Sequence, residues 1–179
     1  LFYLVTVFFG FSLISSSGYI LNDIIDLNDD RRNSLKKNRP IANGNLTLFE
    51  GIMLFVFCFT IGFTILIFLS KYILYLGISY FLLVFIYSKF LKKIPMLDVG
   101  TLSLFYLLRV KIGYLAVNLE SSVWFLSFVY FFFLGLGFLK RITELLYANN
   151  GNFLSSLSNN NLLGRSYNLK DIYLLIVCG

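Results

Sequence analysis

Five stretches of about twenty apolar residues, divided by short polar links, restrict this chain to one class of fold. They run from Leu1 to about Leu27, from about Leu48 to Leu69, from Tyr72 to Tyr87 with room to extend to Phe90, from Asp98 to Val117, and from Val123 to about Tyr147. A sixth apolar run opens at Ile172, and the chain stops at Gly179. Hydrocarbon offers the backbone no hydrogen-bond partners, so segments of this length and composition must satisfy their own N–H and C=O groups as helices. With 58% hydrophobic residues, 21 Phe and 13% charged residues, the 179-residue chain has more apolar surface than a soluble domain of that size buries. The expected fold is all-α: a polytopic bundle of transmembrane helices forming one domain over residues 1–179. The chain begins and ends inside apolar segments and its first residue is not Met, as expected of a fragment of a longer protein, and nothing in it resembles a cleavable signal peptide.

The side-chain inventory narrows the chemistry. The two cysteines, Cys58 and Cys178, both lie in apolar segments, so a disulfide framework is not expected. There is no histidine, which excludes Ser-His and Cys-His nucleophilic chemistry and imidazole metal ligands. Any catalysis must run on carboxylates, Lys, Arg, Tyr, Asn or a bound metal.

Carboxylates are concentrated in one place, Asn22-Asp23-Ile24-Ile25-Asp26-Leu27-Asn28-Asp29-Asp30, at the end of the first apolar segment. At about 100° per residue, Asp23, Asp26 and Asp30 fall within roughly 60° of one another, whereas Asp29 points elsewhere. Three like charges on one face repel unless a cation sits among them, and Mg²⁺ or a similar hard cation is the leading expectation for Asp23, Asp26 and Asp30. A solvated, acidic helix end marking the membrane boundary is the competing account. The next residues bear on the choice: Arg31, Arg32, Lys36, Lys37 and Arg39 precede Pro40-Ile41-Ala42-Asn43-Gly44. An acidic cluster that holds Mg²⁺, joined to a loop with five cations, is what a diphosphate requires. Cationic loops also flank membrane helices on the cytoplasmic side whatever the function, and both readings hold together.

Placing the connections 30–47, 89–97 and 148–171 on one side collects 12 of the 15 basic residues there, counting Lys140 and Arg141 near a helix end. The positive-inside bias then puts these loops and the acidic motif in the cytoplasm. Arg109 lies within the fourth segment, eleven residues beyond Asp98, which returns it to within about 20° of the same face and roughly 16 Å deeper. A charge at that depth is expected to line a polar cavity, with a structural interhelical pair as the alternative. Lys140, Arg141 and Glu144 form a second charged cluster at the end of the fifth segment, where Lys140 and Glu144 also suit a surface i,i+4 ion pair. Lys111 has no assigned role beyond a separate partner or a snorkelling position.

At this point the residues carry a resemblance. Asn22-Asp23-x-x-Asp26-x-x-x-Asp30 followed by Lys37-Asn38-Arg39-Pro40-Ile41-Ala42-Asn43-Gly44 resembles the first aspartate motif and loop of the UbiA superfamily of intramembrane prenyltransferases. Three further stretches are similar to the branch of that superfamily that makes decaprenylphosphoryl-5-phosphoribose. They are Tyr87-Ser88-x-x-Leu91-Lys92-x-x-Pro95-x-x-Asp98, Tyr106-Leu107-Leu108-Arg109 and Lys140-Arg141-x-x-Glu144-Leu145. The resemblance implies a nine-helix bundle around a cavity open to lipid, of which this chain matches helices two to six and the start of seven, with Mg²⁺ at the cytoplasmic end. In ordinary members a second motif carries several aspartates, and its place here is taken by Lys140, Arg141 and Glu144.

The implied reaction is transfer of a 5-phosphoribosyl group from phosphoribosyl diphosphate to a polyprenyl phosphate in a bacterial plasma membrane, with the active site on the cytoplasmic side. Asp23, Asp26 and Asp30 are the implied catalytic and metal residues. Asn22, Lys36, Lys37, Arg39, Lys92, Asp98, Arg109, Lys140, Arg141 and Glu144 are the implied substrate-binding residues. The acceptor phosphate is already anionic, so no general base is required, which suits a chain without histidine. The partners implied are these two substrates and membrane lipids, with no nucleic acid. Two alternatives stay open: a UbiA prenyltransferase that moves a prenyl group from a prenyl diphosphate to an aromatic or other acceptor, and a transporter or membrane scaffold whose charged helix ends are structural.

Overall fold

The computed structural model describes residues 2–32 and 36–148, the side chains of Pro95 and of 144–148 excepted. The apolar run expected from Ile172, the connection beyond residue 148 and the side chain of Glu144 therefore lie outside the described residues. Within them the chain is helical, with no strand: α1 spans Phe2–Ile25, α2 Leu27–Arg32, α3 Leu48–Leu69, α4 Lys71–Lys89, α5 Pro95–Ala116 and α6 Val123–Ala148, with a 3₁₀ turn at Leu91–Lys93 between α4 and α5. All but α2 are long and apolar enough to cross a membrane. This is a polytopic helical membrane protein. The fourth span begins three residues before Asp98 because Pro95 takes the first helical position, where its missing N–H costs nothing. The Asp98 N–H then makes an early turn bond to the Ile94 carbonyl at 2.8 Å.

The described residues divide into two compact units, one within 2–89 and 111–120, the other within 90–110 and 121–148. In the first unit, α1 buries Val7, Gly10, Phe11, Ile14, Ser17 and Gly18, a stripe at three- and four-residue spacing, against α3 and α4. Small residues set how closely the backbones approach. A Cβ at Gly62 would stand 2.8 Å from Ile14 Cγ1 and 3.1 Å from the Gly10 carbonyl oxygen, so α1 and α3 meet there almost backbone to backbone. Ile14, Leu66 and Ile73 fill this core. The opposite faces carry exposed Phe49, Met53, Phe57 and Phe68, as expected of surfaces that meet lipid.

In the second unit α5 and α6 pack antiparallel. Asp98 faces Arg141 and Tyr106 faces Phe133, eight residues along one helix matched by eight back along the other. The Tyr106 and Phe133 rings stack at 3.9 Å with planes 4° apart, and Val99, Phe105, Val129 and Phe138 are buried.

Candidate active site

The acidic motif is built where α1 stops. The helix ends at Ile25, Asp26 forms a turn, and α2 resumes at Leu27. Backbone bonds nonetheless run through the break: Asp26 N–H to the Asn22 carbonyl at 2.9 Å and Asp30 N–H to the Asp26 carbonyl at 2.8 Å. The seven-residue separation of Asp23 and Asp30 therefore still returns them to one face. Asp30 is buried, at 2% exposure, while its neighbour Asp29 is exposed.

A single nitrogen joins the two carboxylates. Arg39 Nη1 donates to Asp23 Oδ1 at 2.7 Å and to Asp30 Oδ2 at 2.8 Å. Asp26 and Lys36 also act electrostatically on Asp23, so three carboxylates and two cations share one field. Asn22 Oδ1, on the residue before Asp23, is buried with no hydrogen-bond partner among the described residues. Lys37 is exposed.

The loop that presents Arg39 is tied down on both flanks. Asn43 N–H bonds the Arg39 carbonyl at 2.9 Å, Leu46 N–H bonds the Pro40 carbonyl at 3.0 Å, and the Asn43 side chain accepts from Asn45 N–H at 2.9 Å. Gly44, at φ 85°, supplies the left-handed residue that this turn demands. Ile41 is buried against Gly51 and Ile24, where a Cβ at Gly51 would stand 3.0 Å from Ile41 Cδ1. Thr47 and Glu50 form a reciprocal capping box that opens α3 directly after the loop. Arg31 Nε donates to the Ala42 carbonyl at 3.3 Å, linking α2 to the same loop.

The donors suit a hard divalent cation: carboxylate oxygens of Asp23 and Asp30 that converge on one point. Among the described residues no three carboxylates converge closely enough to hold an ion as they stand. Asp23 and Asp30 converge on Arg39 instead. Spacing alone did not show this pairing, because it depends on how the loop folds back over sixteen residues to Asp23.

Further charged residues lie on α5, on α6 and on the 3₁₀ turn. Arg141 Nη2 lies 2.5 Å from Asp98 Oδ2, and both side chains are buried. Lys140, one residue earlier on α6, is exposed, so two adjacent cations face different surroundings. The Arg109 guanidinium lies 5.3 Å from the centre of the Tyr106 ring, which is itself stacked on Phe133. Lys92 is half-buried on the 3₁₀ turn, and Lys111 is exposed on α5. The sequence placed Asp98 and Arg141 in the site separately. A signal for the pair was available, since opposite charges stand at the start of one apolar helix and the end of the next.

A family model described as the UbiA prenyltransferase family matches residues 1–145. The chain belongs to this family. Among UbiA-type relatives it is 30% identical to the decaprenyl-phosphate phosphoribosyltransferase of Corynebacterium glutamicum over 141 residues, 78% of this chain and 42% of that protein. It is 29% identical to the digeranylgeranylglyceryl phosphate synthase of Saccharolobus solfataricus over 148 residues, 80% of this chain and 50% of that protein. Protein y4nM of Sinorhizobium fredii is 32% identical over 141 residues, 79% of this chain and 27% of that protein. The chain thus spans half the length of these relatives or less. UbiA family membership agrees with the helical bundle; the identities do not separate phosphoribosyl from prenyl transfer.

Proposed function

We propose that this chain carries the acidic half of an Mg²⁺-dependent intramembrane transferase that moves a 5-phosphoribosyl group from phosphoribosyl diphosphate to a polyprenyl phosphate. The bond from ribose C1 to the diphosphate breaks, a bond from C1 to an acceptor phosphate oxygen forms, and diphosphate leaves. When bound, Mg²⁺ supplies charge stabilisation for the departing diphosphate. Asp23, Asp26 and Asp30 are the residues proposed to hold it, with Asn22 beside them. Lys36, Lys37 and Arg39 are assigned to donor phosphates.

The observation that carries the phosphoribosyl reading is the residue set Lys140, Arg141 and Glu144 where ordinary members have a second group of aspartates. A prenyl diphosphate is held by its apolar tail and one diphosphate, for which two acidic motifs with Mg²⁺ suffice. Phosphoribosyl diphosphate is wholly polar and carries an additional 5-phosphate, which calls for further cations. The exposed Lys140 is assigned to such a phosphate on charge alone, and Arg109 to the acceptor phosphate. One finding favours the second reading, prenyl transfer from a prenyl diphosphate: a digeranylgeranylglyceryl phosphate synthase matches at nearly the same identity and coverage as the phosphoribosyltransferase.

The deciding assay offers full-length protein in detergent both donors in turn, with Mg²⁺. The expected result is a lipid-linked phosphoribose from phosphoribosyl diphosphate and a polyprenyl phosphate. Lys140→Ala is expected to lower that rate by one to two orders of magnitude, since a charge-assisted phosphate contact contributes roughly 1.5–3 kcal/mol. Prenylation of an aromatic acceptor, with phosphoribosyl diphosphate left untouched, selects the second reading.

The proposed orientation has its own test. In a Cys58→Ser, Cys178→Ser background, a cysteine at the exposed Asn38 is expected to react with an impermeant thiol reagent only from the cytoplasmic side, and one at Ser122 only from outside. Labelling of Asn38 from outside intact cells reverses the topology.

A further inference from the structure

Arg39 holds the position between Asp23 and Asp30 that a divalent cation needs. Its Nη1 lies 2.7 and 2.8 Å from the two carboxylate oxygens, and the Asp30 side chain is only 3% exposed. A buried carboxylate without a cation is costly, so Asp30 requires a positive partner whether or not metal is present. The loop supplies one. Mg²⁺ binds carboxylate oxygens at about 2.0–2.1 Å, so the same two oxygens would close around an ion by moving inward about 0.7 Å each. The guanidinium and a divalent ion cannot share that space, because they would stand within van der Waals contact with like charge.

We infer that Arg39 is the resident counter-ion of the acidic motif, and that divalent-cation binding displaces its guanidinium from Asp23 and Asp30, freeing it in the same step for the anion that accompanies the metal. The displacement is a side-chain swing rather than a loop opening. The backbone that carries Arg39 is held by the Arg39 N–H bond to the Lys36 carbonyl at 3.0 Å, by the Asn43 and Leu46 turn bonds that follow it, and by Ile41 buried against Gly51. Metal and anion binding are thereby coupled: without an anion, a cation must evict Arg39 and leave it unpaired; with diphosphate present, the evicted guanidinium has a new partner. This deepens the Mg²⁺ reading of the motif and rests on it, but not on which diphosphate is the donor.

The test measures Mn²⁺ binding to full-length detergent-purified protein by the loss of the free-ion electron paramagnetic resonance signal, without substrates and then with inorganic diphosphate. Arg39→Gln removes the competing charge and is expected to bind Mn²⁺ about tenfold tighter than wild type in the absence of anion, with Arg39→Lys close to wild type. Inorganic diphosphate is expected to tighten Mn²⁺ binding by wild type at least tenfold more than by Arg39→Gln. Equal or weaker Mn²⁺ binding by folded Arg39→Gln without anion overturns the inference and leaves the metal site standing. Absence of Mn²⁺ binding by both proteins overturns the inference together with the metal reading. A second measurement uses only wild type: an arginine-specific glyoxal reagent, read by mass spectrometry, is expected to modify Arg39 several-fold faster with Mg²⁺ than without it. An unchanged rate at saturating Mg²⁺ also overturns the inference.

Discussion

Asp23→Asn or Asp26→Asn in the full-length protein is expected to lower turnover by about two orders of magnitude or more while the protein still elutes as a folded, monodisperse species. The scale follows from the several kcal/mol of charge stabilisation that a bound metal would supply to the departing diphosphate, at about 1.4 kcal/mol per factor of ten. Asp29→Asn is expected to stay within about twofold of wild type, because a surface substitution away from special features shifts free energies by about 0.5 kcal/mol or less. The contrast is informative because Asp29 and Asp30 are adjacent: one is exposed, and the other is buried and bonded to Arg39. Asp30→Asn is expected to lose turnover too, with a loss of stability that Asp23→Asn does not share, since Asp23 is only part-buried. The measurement is initial rate beside a thermal unfolding curve for each variant. Equal losses at Asp29 and Asp26 would refute the single-face account of the motif.

What the sequence made legible follows the range of the forces involved. Helix positions were readable because burial in hydrocarbon acts on every residue of a span: α3 runs over Leu48–Leu69 as its apolar run does, and α4 extends to Lys89. The common face of Asp23 and Asp30 was readable because it needs only helical periodicity, and it survives the break at Asp26 because backbone bonds continue through it. Charge alone led to the expectation that Arg39 meets a phosphate; its partnership with Asp23 and Asp30 was not legible. That contact depends on a loop whose path is set by the Asn43 turn, by Gly44 in the left-handed region and by Ile41 packed under Gly51. The stack of Tyr106 on Phe133 and the pairing of Asp98 with Arg141 depend on the register of α5 against α6, which no single segment encodes.

That register has an energetic consequence that separates Arg141 from Lys140. Asp98 and Arg141 are buried together, so truncating either takes from the other an ion-pair partner at a buried position. Arg141→Ala and Asp98→Ala are each expected to destabilise the protein by about 3–5 kcal/mol, a drop in melting temperature on the order of 10 °C. The double replacement Asp98→Leu with Arg141→Met keeps side-chain volume and removes both charges, and it is expected to recover most of the lost stability, because a buried ion pair is often matched by apolar residues of similar size. Unfolding of the four proteins in detergent, by heat or denaturant, gives the coupling between the two residues. Lys140→Ala, on an exposed position of the same helix, is expected to leave stability within about 0.5 kcal/mol of wild type and to act on turnover instead. If Arg141→Ala keeps wild-type stability and loses only activity, the Asp98 pair is not what holds Arg141, and its guanidinium belongs with the phosphate ligands. If the double replacement is folded and active, Arg141 is a structural cation, and the phosphoribosyl reading rests at the end of α6 on Lys140 alone.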